Sequence, residues 1–73
     1  MDEYEERVTQ LTLVPKGEPI FHERGCRVEI DDEAGGEFVV VRSNDCDGKI
    51  TIDPSDWPAL RHTIDRMIKG CFV

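Results

Sequence analysis

The 73-residue chain has no run of eighteen apolar residues, so nothing in it reads as a membrane-spanning helix. Its first residues, Met1-Asp2-Glu3-Tyr4-Glu5-Glu6, are acidic where a secretory leader is basic and then apolar, and a cytoplasmic location is expected. Cysteine is scarce and odd in number. Cys26, Cys46 and Cys71 leave one thiol over in any intramolecular pairing, and their spacing matches no disulfide scaffold, so reduced thiols are the simpler expectation. Repeats and low-complexity tracts are absent. Basic residues are few, nine Lys and Arg against sixteen Asp and Glu.

The motifs of catalysis are missing as well. Ser43 and Ser55 lie in turn-forming stretches outside any G-x-S-x-G elbow, and Cys46 has no histidine near it in sequence. A zinc site needs four converging ligands, but of His22, Cys26, Cys46, His62 and Cys71 only the first two are close together. Asp45, Asp47 and Gly48 resemble the opening of a calcium loop whose closing glutamate is absent. Gly35-Gly36 sits among carboxylates and opens no helix, so it cannot cradle phosphate. A chain this short also offers little room for a ligand pocket of several hundred Å3. The expectation is a non-enzymatic protein with no cofactor and no bound metal.

What is present is a charge imbalance. Of the net −7, residues 1–37 carry eleven Asp and Glu against four Lys and Arg, whereas residues 38–73 carry five of each. An acidic surface repels phosphate backbones at long range and attracts basic ones, so a protein partner with a basic surface is favoured and nucleic acid is disfavoured. The carboxylates assigned to that partner are Glu18, Glu23, Glu29, Asp31, Asp32, Glu33 and Glu37. Of the basic residues, Arg24, Arg27, Arg42, Arg61 and Arg66 can form at most a local stripe. Phe21, Phe38, Trp57 and Phe72 are the aromatic rings on which bases could stack, with Trp57 placed by its helical spacing in the core.

Residues 1–6 read as a flexible acidic tail ahead of a single domain over 7–73. Residues 8–14 alternate as a strand, ended by Pro15-Lys16-Gly17-Glu18-Pro19, and Ile20 and Phe21 could resume pairing. Cys26, Val28 and Ile30 alternate with Arg27, Glu29 and Asp31, the pattern of a strand with one dry face and one wet face. Residues 31–36 read as a loop, and 37–42 as a strand apolar on both sides and therefore central. Turn formers at 43–48 lead to a strand over 49–52.

In the last third, Trp57, Leu60, Ile64, Met67, Ile68 and Cys71 recur at helical spacing. Asp53 can cap with Pro54 first in the helix, although Pro58 fits better if the helix starts at Asp56. Gly70 marks the stop, and Asp65 and Lys69 can pair one turn apart. The fold class is therefore α+β, a three- to four-stranded antiparallel meander sheet with one C-terminal amphipathic helix packed on a face. Trp57, Leu60, Ile64 and Ile68 are expected to cover Val28, Ile30, Val40, Ile50 and Ile52. Because 73 residues barely outweigh the entropy of ordering them, a homodimer is expected.

The segment Gly48-Lys49-Ile50-Thr51-Ile52-Asp53-Pro54-Ser55-Asp56-Trp57-Pro58-Ala59-Leu60, with Ile64, resembles the C-terminal unit of the positive-cofactor family of single-stranded-DNA-binding transcriptional coactivators. That resemblance implies four strands and a helix, and a dimer whose curved sheets hold DNA. This chain departs from the family in lacking basic, aromatic-rich strands. In size and acidity the whole chain also looks like short bacteriophage and mobile-element products such as anti-CRISPR and anti-restriction inhibitors, which implies docking on a basic surface of a host protein as a nucleic-acid mimic. Docking of that kind is the leading expectation, and a single-stranded-DNA-binding dimer is the alternative.

Overall fold

The computed structural model describes residues 3–33 and 35–72. Four strands, β1 (Gln10–Leu13), β2 (Cys26–Glu33), β3 (Gly36–Ser43) and β4 (Lys49–Ile52), form one antiparallel sheet in the order of the chain. A single 3-10 turn (Pro54–Asp56) and the helix α1 (Trp57–Lys69) follow. No described helix is long and apolar enough to cross a membrane.

The loop expected over 31–36 is mostly ladder. Asp32 stands opposite Glu37 and Glu33 opposite Gly36, so β2 and β3 pair over their full eight residues. Gly36 closes the hairpin at φ +116°, a conformation that costs glycine little. Ala34 lies outside the described residues, as do Met1 and Asp2 of the expected acidic tail. β1 is shorter than its alternating run because Val8 and Thr9 fall outside the strand, and Ile20 and Phe21 lie in turns. Gly17, at φ +86°, forms the expected turn, with the Glu18 amide donating to the Pro15 carbonyl at 3.0 Å.

Register sorts the side chains. Leu11, Val28, Val41 and Ile50 lie opposite one another across the sheet, as do Ile30, Val39 and Ile52, so all seven share one face with Leu13 and Cys26. The other face carries Gln10, Glu29, Val40 and Thr51 in one row and Thr12, Arg27, Arg42 and Lys49 in the next. Val40, which is wholly buried, therefore lies on the polar face and not with Val28 and Ile30 as expected. Its strand is central, which the apolar character of both its sides had implied.

The expected covering of the apolar face by the helix is corrected. Trp57 and Pro54 meet Val28, Val39, Val41 and Ile52 around an open apolar recess of about 400 Å3, larger than so short a chain was expected to form. Beyond that point α1 leaves the sheet, and among the described elements the 3-10 turn is the one it meets substantially. Ile64, Met67 and Ile68 are exposed, as are Leu11, Leu13 and Ile50 on the sheet. β4 ends at Ile52, and the 3-10 turn carries the chain straight into the helix at Trp57.

Both readings of the helix start hold in part. Asp53 caps the 3-10 turn, its carboxylate accepting from the Ser55 amide at 2.9 Å and the Ser55 hydroxyl at 2.6 Å. Pro58 then falls in the first turn of α1, where no N–H is needed. Gly70 ends the helix at φ −87°, and the one-turn ion pair is Arg61–Asp65 at 4.0 Å in place of Asp65–Lys69.

The two hydrogen bonds from Ser55, side chain then backbone, hold the Asp53 carboxyl below its ordinary pKa of 3.8. A lowered native pKa contributes stability that is present above 3.8 and is lost as pH falls through the native value. Replacing Asp53 by Asn, which keeps an accepting oxygen, should flatten the wild-type loss of helix stability below pH 3.8, whereas Asp53→Ala should lower the midpoint at neutral pH; thermal unfolding followed by circular dichroism reads both.

Candidate functional site

The polar face of the sheet concentrates the chain's basic side chains. Arg27 on β2 stands opposite Arg42 on β3, which stands opposite Lys49 on β4. Opposed residues project to one face, so three cations lie in a row perpendicular to the strands, roughly 10 Å from the first Cα to the last at the usual strand spacing. Like charges directly opposite one another across strands are destabilising. Glu29 offsets part of this, taking a 2.6 Å hydrogen bond from Arg42 Nε while both side chains are largely shielded. Arg27 is half-buried, and its Nε is enclosed without a partner among the described residues. A chain with so few cations has aligned three of them at an electrostatic cost, which favours an anion laid across the row.

Strand alternation placed Arg27 on a wet face from sequence. Lys49 went unrecognised, because its position beside Arg42 depends on how the Ser43–Gly48 connection closes. The turn-former density there was the available signal. Arg61 and Arg66 lie on α1, away from the row, and Arg24 lies in the turn just before β2. Three of the chain's cations thus form a local stripe on the sheet.

The seven carboxylates assigned to a partner do not form one surface. Asp31, Asp32, Glu33 and Glu37 gather at the tip of the β2–β3 hairpin, where Glu33 and Glu37 line a shallow recess with Asp53. Arg7 caps this group with a two-pronged pair to Glu37 at 2.8 and 3.1 Å, whose hydrogen bonds and charge hold the Glu37 carboxyl below its usual range. Glu29 is engaged with Arg42 in mid-strand. Glu18 and Glu23 lie at the opposite end of the sheet, in the β1–β2 connection.

That connection, residues 14–25, is held by Asn44. The Asn44 side-chain amide donates to the carbonyls of Ile20 at 3.0 Å and His22 at 2.9 Å, and its backbone amide to Gly25 at 3.0 Å. His22 Nδ1 accepts from the Arg24 amide at 3.1 Å. Gly25 is buried here, and a Cβ on it would stand 2.5 Å from Asn44 Nδ2 and 3.0 Å from Val14. Of the aromatic rings, Phe38 lies half-buried on the polar face opposite Asp31, Phe21 is 76% exposed in the loop, and Trp57 borders the apolar recess.

His22 and Cys26 lie four residues apart, and no group of three or more His, Cys, Asp or Glu among the described residues is placed to hold a metal ion. Cys26, Cys46 and Cys71 are free thiols. No protein-family model matches the chain, and neither a curated protein nor a solved structure shows a match to it.

Gly25→Ala should destabilise the protein by about 1–3 kcal/mol, the usual cost of an unaccommodated methyl in a packed site. Urea denaturation measures the change, and Gly17→Ala, where a Cβ meets no atom, reports the cost of a positive φ alone.

Proposed function

We propose that this protein is a homodimer that pairs through the apolar sheet face and α1 and holds single-stranded nucleic acid across the polar face. The row of Arg27, Arg42 and Lys49 carries this reading. Acidic residues at the hairpin tip lie four to six positions along β2 from Arg27, roughly 13–20 Å, beyond the screening length of about 8 Å at physiological ionic strength. They weaken the row little at contact distance. Glu29, Glu18, Glu23, Asp45 and Asp47 are closer, so the positive strip is narrow. A narrow strip in a negative molecule suits one backbone threaded over the sheet and disfavours a duplex, whose two phosphate ribbons would meet the surrounding carboxylates. The strand-to-helix resemblance to the positive-cofactor family points the same way.

The dimer follows from area. A compact 8.3 kDa monomer exposes about 4,600 Å2, whereas this chain exposes 6842 Å2. Its radius of gyration is 15.3 Å where about 11 Å is usual for this length. The excess exceeds the roughly 800 Å2 that each partner contributes to a stable interface, and Leu11, Leu13, Ile50, Ile64, Met67 and Ile68 are among the apolar side chains left exposed. A second copy supplies the same apolar helix and sheet in return, which makes the contact self-complementary.

Light scattering should give twice the chain mass, with an unfolding midpoint that rises with protein concentration. Ile64→Glu and Ile68→Glu should each abolish both. A monomer that unfolds at the same temperature across a hundredfold dilution would overturn the dimer.

Fluorescence anisotropy with an oligothymidylate at low salt should show binding that weakens as salt is added. Arg27→Ala and Lys49→Ala should each weaken it and reduce the slope of log affinity against log salt by about 0.7, the increment for one phosphate contact on a single strand. Absence of binding at low salt sinks the reading.

A second reading rests on the clustering of Asp31, Asp32, Glu33 and Glu37 at one tip, which suits docking on a basic protein surface in the manner of a nucleic-acid mimic. Charge reversal at Asp31, Asp32 and Glu33 separates the two, since it leaves oligonucleotide binding intact or stronger and removes any such docking.

A further inference from the structure

We propose that Phe21, in the loop between β1 and β2, is a base-stacking residue that gives the polar sheet face its preference for single strands over duplex. This rests on the nucleic-acid reading above and names the part of the site that phosphate contacts cannot supply, since phosphates are common to both forms.

Three observations carry it. First, Phe21 is 76% exposed although it belongs to a loop with definite internal hydrogen bonding, so its exposure is imposed by ordered backbone. The carbonyls on either side of it, of Ile20 and His22, are both held by the Asn44 side-chain amide, and the His22 amide donates to Pro19 at 3.0 Å.

Second, the loop is attached at the end of the sheet nearer the cationic row. Asn44 lies two residues beyond Arg42, its backbone amide bonds the Gly25 carbonyl, and Gly25 lies two residues before Arg27. The residue that anchors Phe21 is thus continuous with both arginines of the row. Arg24, exposed in the same loop, adds a cation.

Third, a phosphate row alone grips any backbone, whereas a single strand also offers unpaired base faces. Aromatic rings next to a cationic track bind those faces with little regard to sequence. Phe38 is half-buried beside Asp31 at the acidic end, Trp57 belongs to the apolar recess, Phe72 lies beyond the end of α1, and Tyr4 precedes Arg7, which pairs with Glu37 at the hairpin tip. Phe21 is the ring whose backbone is tied through Asn44 next to the strand that carries Arg42.

The test compares the full chain with Phe21→Ala, Phe21→Trp and Arg27→Ala, using a fluorescent oligothymidylate and a duplex of equal length. Phe21→Ala should weaken binding to the single strand about tenfold or more, the usual loss on removing one stacking ring. Its salt slope should match wild type because no charge is removed, whereas Arg27→Ala should flatten the slope. Phe21→Trp should restore the affinity. Duplex affinity should be the same for wild type and Phe21→Ala. If wild type binds the oligonucleotide and Phe21→Ala binds it equally well, the stacking role fails while the cationic row stands. If wild type binds nothing, both fail. Circular dichroism on Phe21→Ala should be unchanged, and a loss of sheet signal would make Phe21 a structural residue and overturn the proposal.

Discussion

The register of the central hairpin is the constraint on which the rest depends. With Val28 opposite Val41 and Arg27 opposite Arg42, eight residue pairs of β2 and β3 commit every neighbouring side chain to a face. β1 and β4 add to the two edges in phase with this, bringing Leu11 and Leu13 to the apolar side and Lys49 to the basic row. A slip of one residue would turn the valines outward and bury the arginines, so the hydrophobic pattern itself defends the register. One alternation thus produces both an apolar surface and a basic row, back to back.

The scarcity of buried side chains gives this arrangement its energetic meaning. Val40 and Gly25 are the buried residues among those described, and many of the chain's larger apolar groups, Leu11, Leu13, Ile50, Met67 and Ile68 among them, are more than half exposed. Hydrophobic burial is the dominant favourable term in folding, and little of it is realised within this chain. Folding and association are therefore coupled in the proposed dimer, and the protomer's stability cannot be separated from its concentration.

Much of the fold was legible because the relevant signals are local. Alternation identified β2, apolar residues on both sides identified β3 as central, and Asp53-Pro54 marked where the helical period begins. Long-range placement was not legible. Nothing at Asp31-Asp32-Glu33 distinguishes an acidic loop from the wet end of a strand until the partner residues are known. Val40 looks like any other core valine, yet its odd step from Val39 puts it on the far side. The direction of α1 was missed because a helical stripe shows that an apolar face needs cover, without saying which molecule provides it. Of the candidate site, Arg27 and Arg42 could be noted singly, but their adjacency to Lys49 is a property of two ladders together. The acidic set was read as one surface because those residues are near in sequence, whereas antiparallel pairing sends Glu18 and Glu33 to opposite ends.

The joint between β4 and α1 has a further consequence. Asp53 locks the turn, and Pro54 and Pro58 remove two of the torsions through which the helix could swing. The projecting arm is thereby aimed before it meets anything. In the proposed dimer two such stiff arms would meet at a fixed angle, so the tilt between the two outward-facing polar sheets would be set by the four residues of each joint. The curvature of a strand laid across both sheets would then be determined by the joint, far from any point of contact.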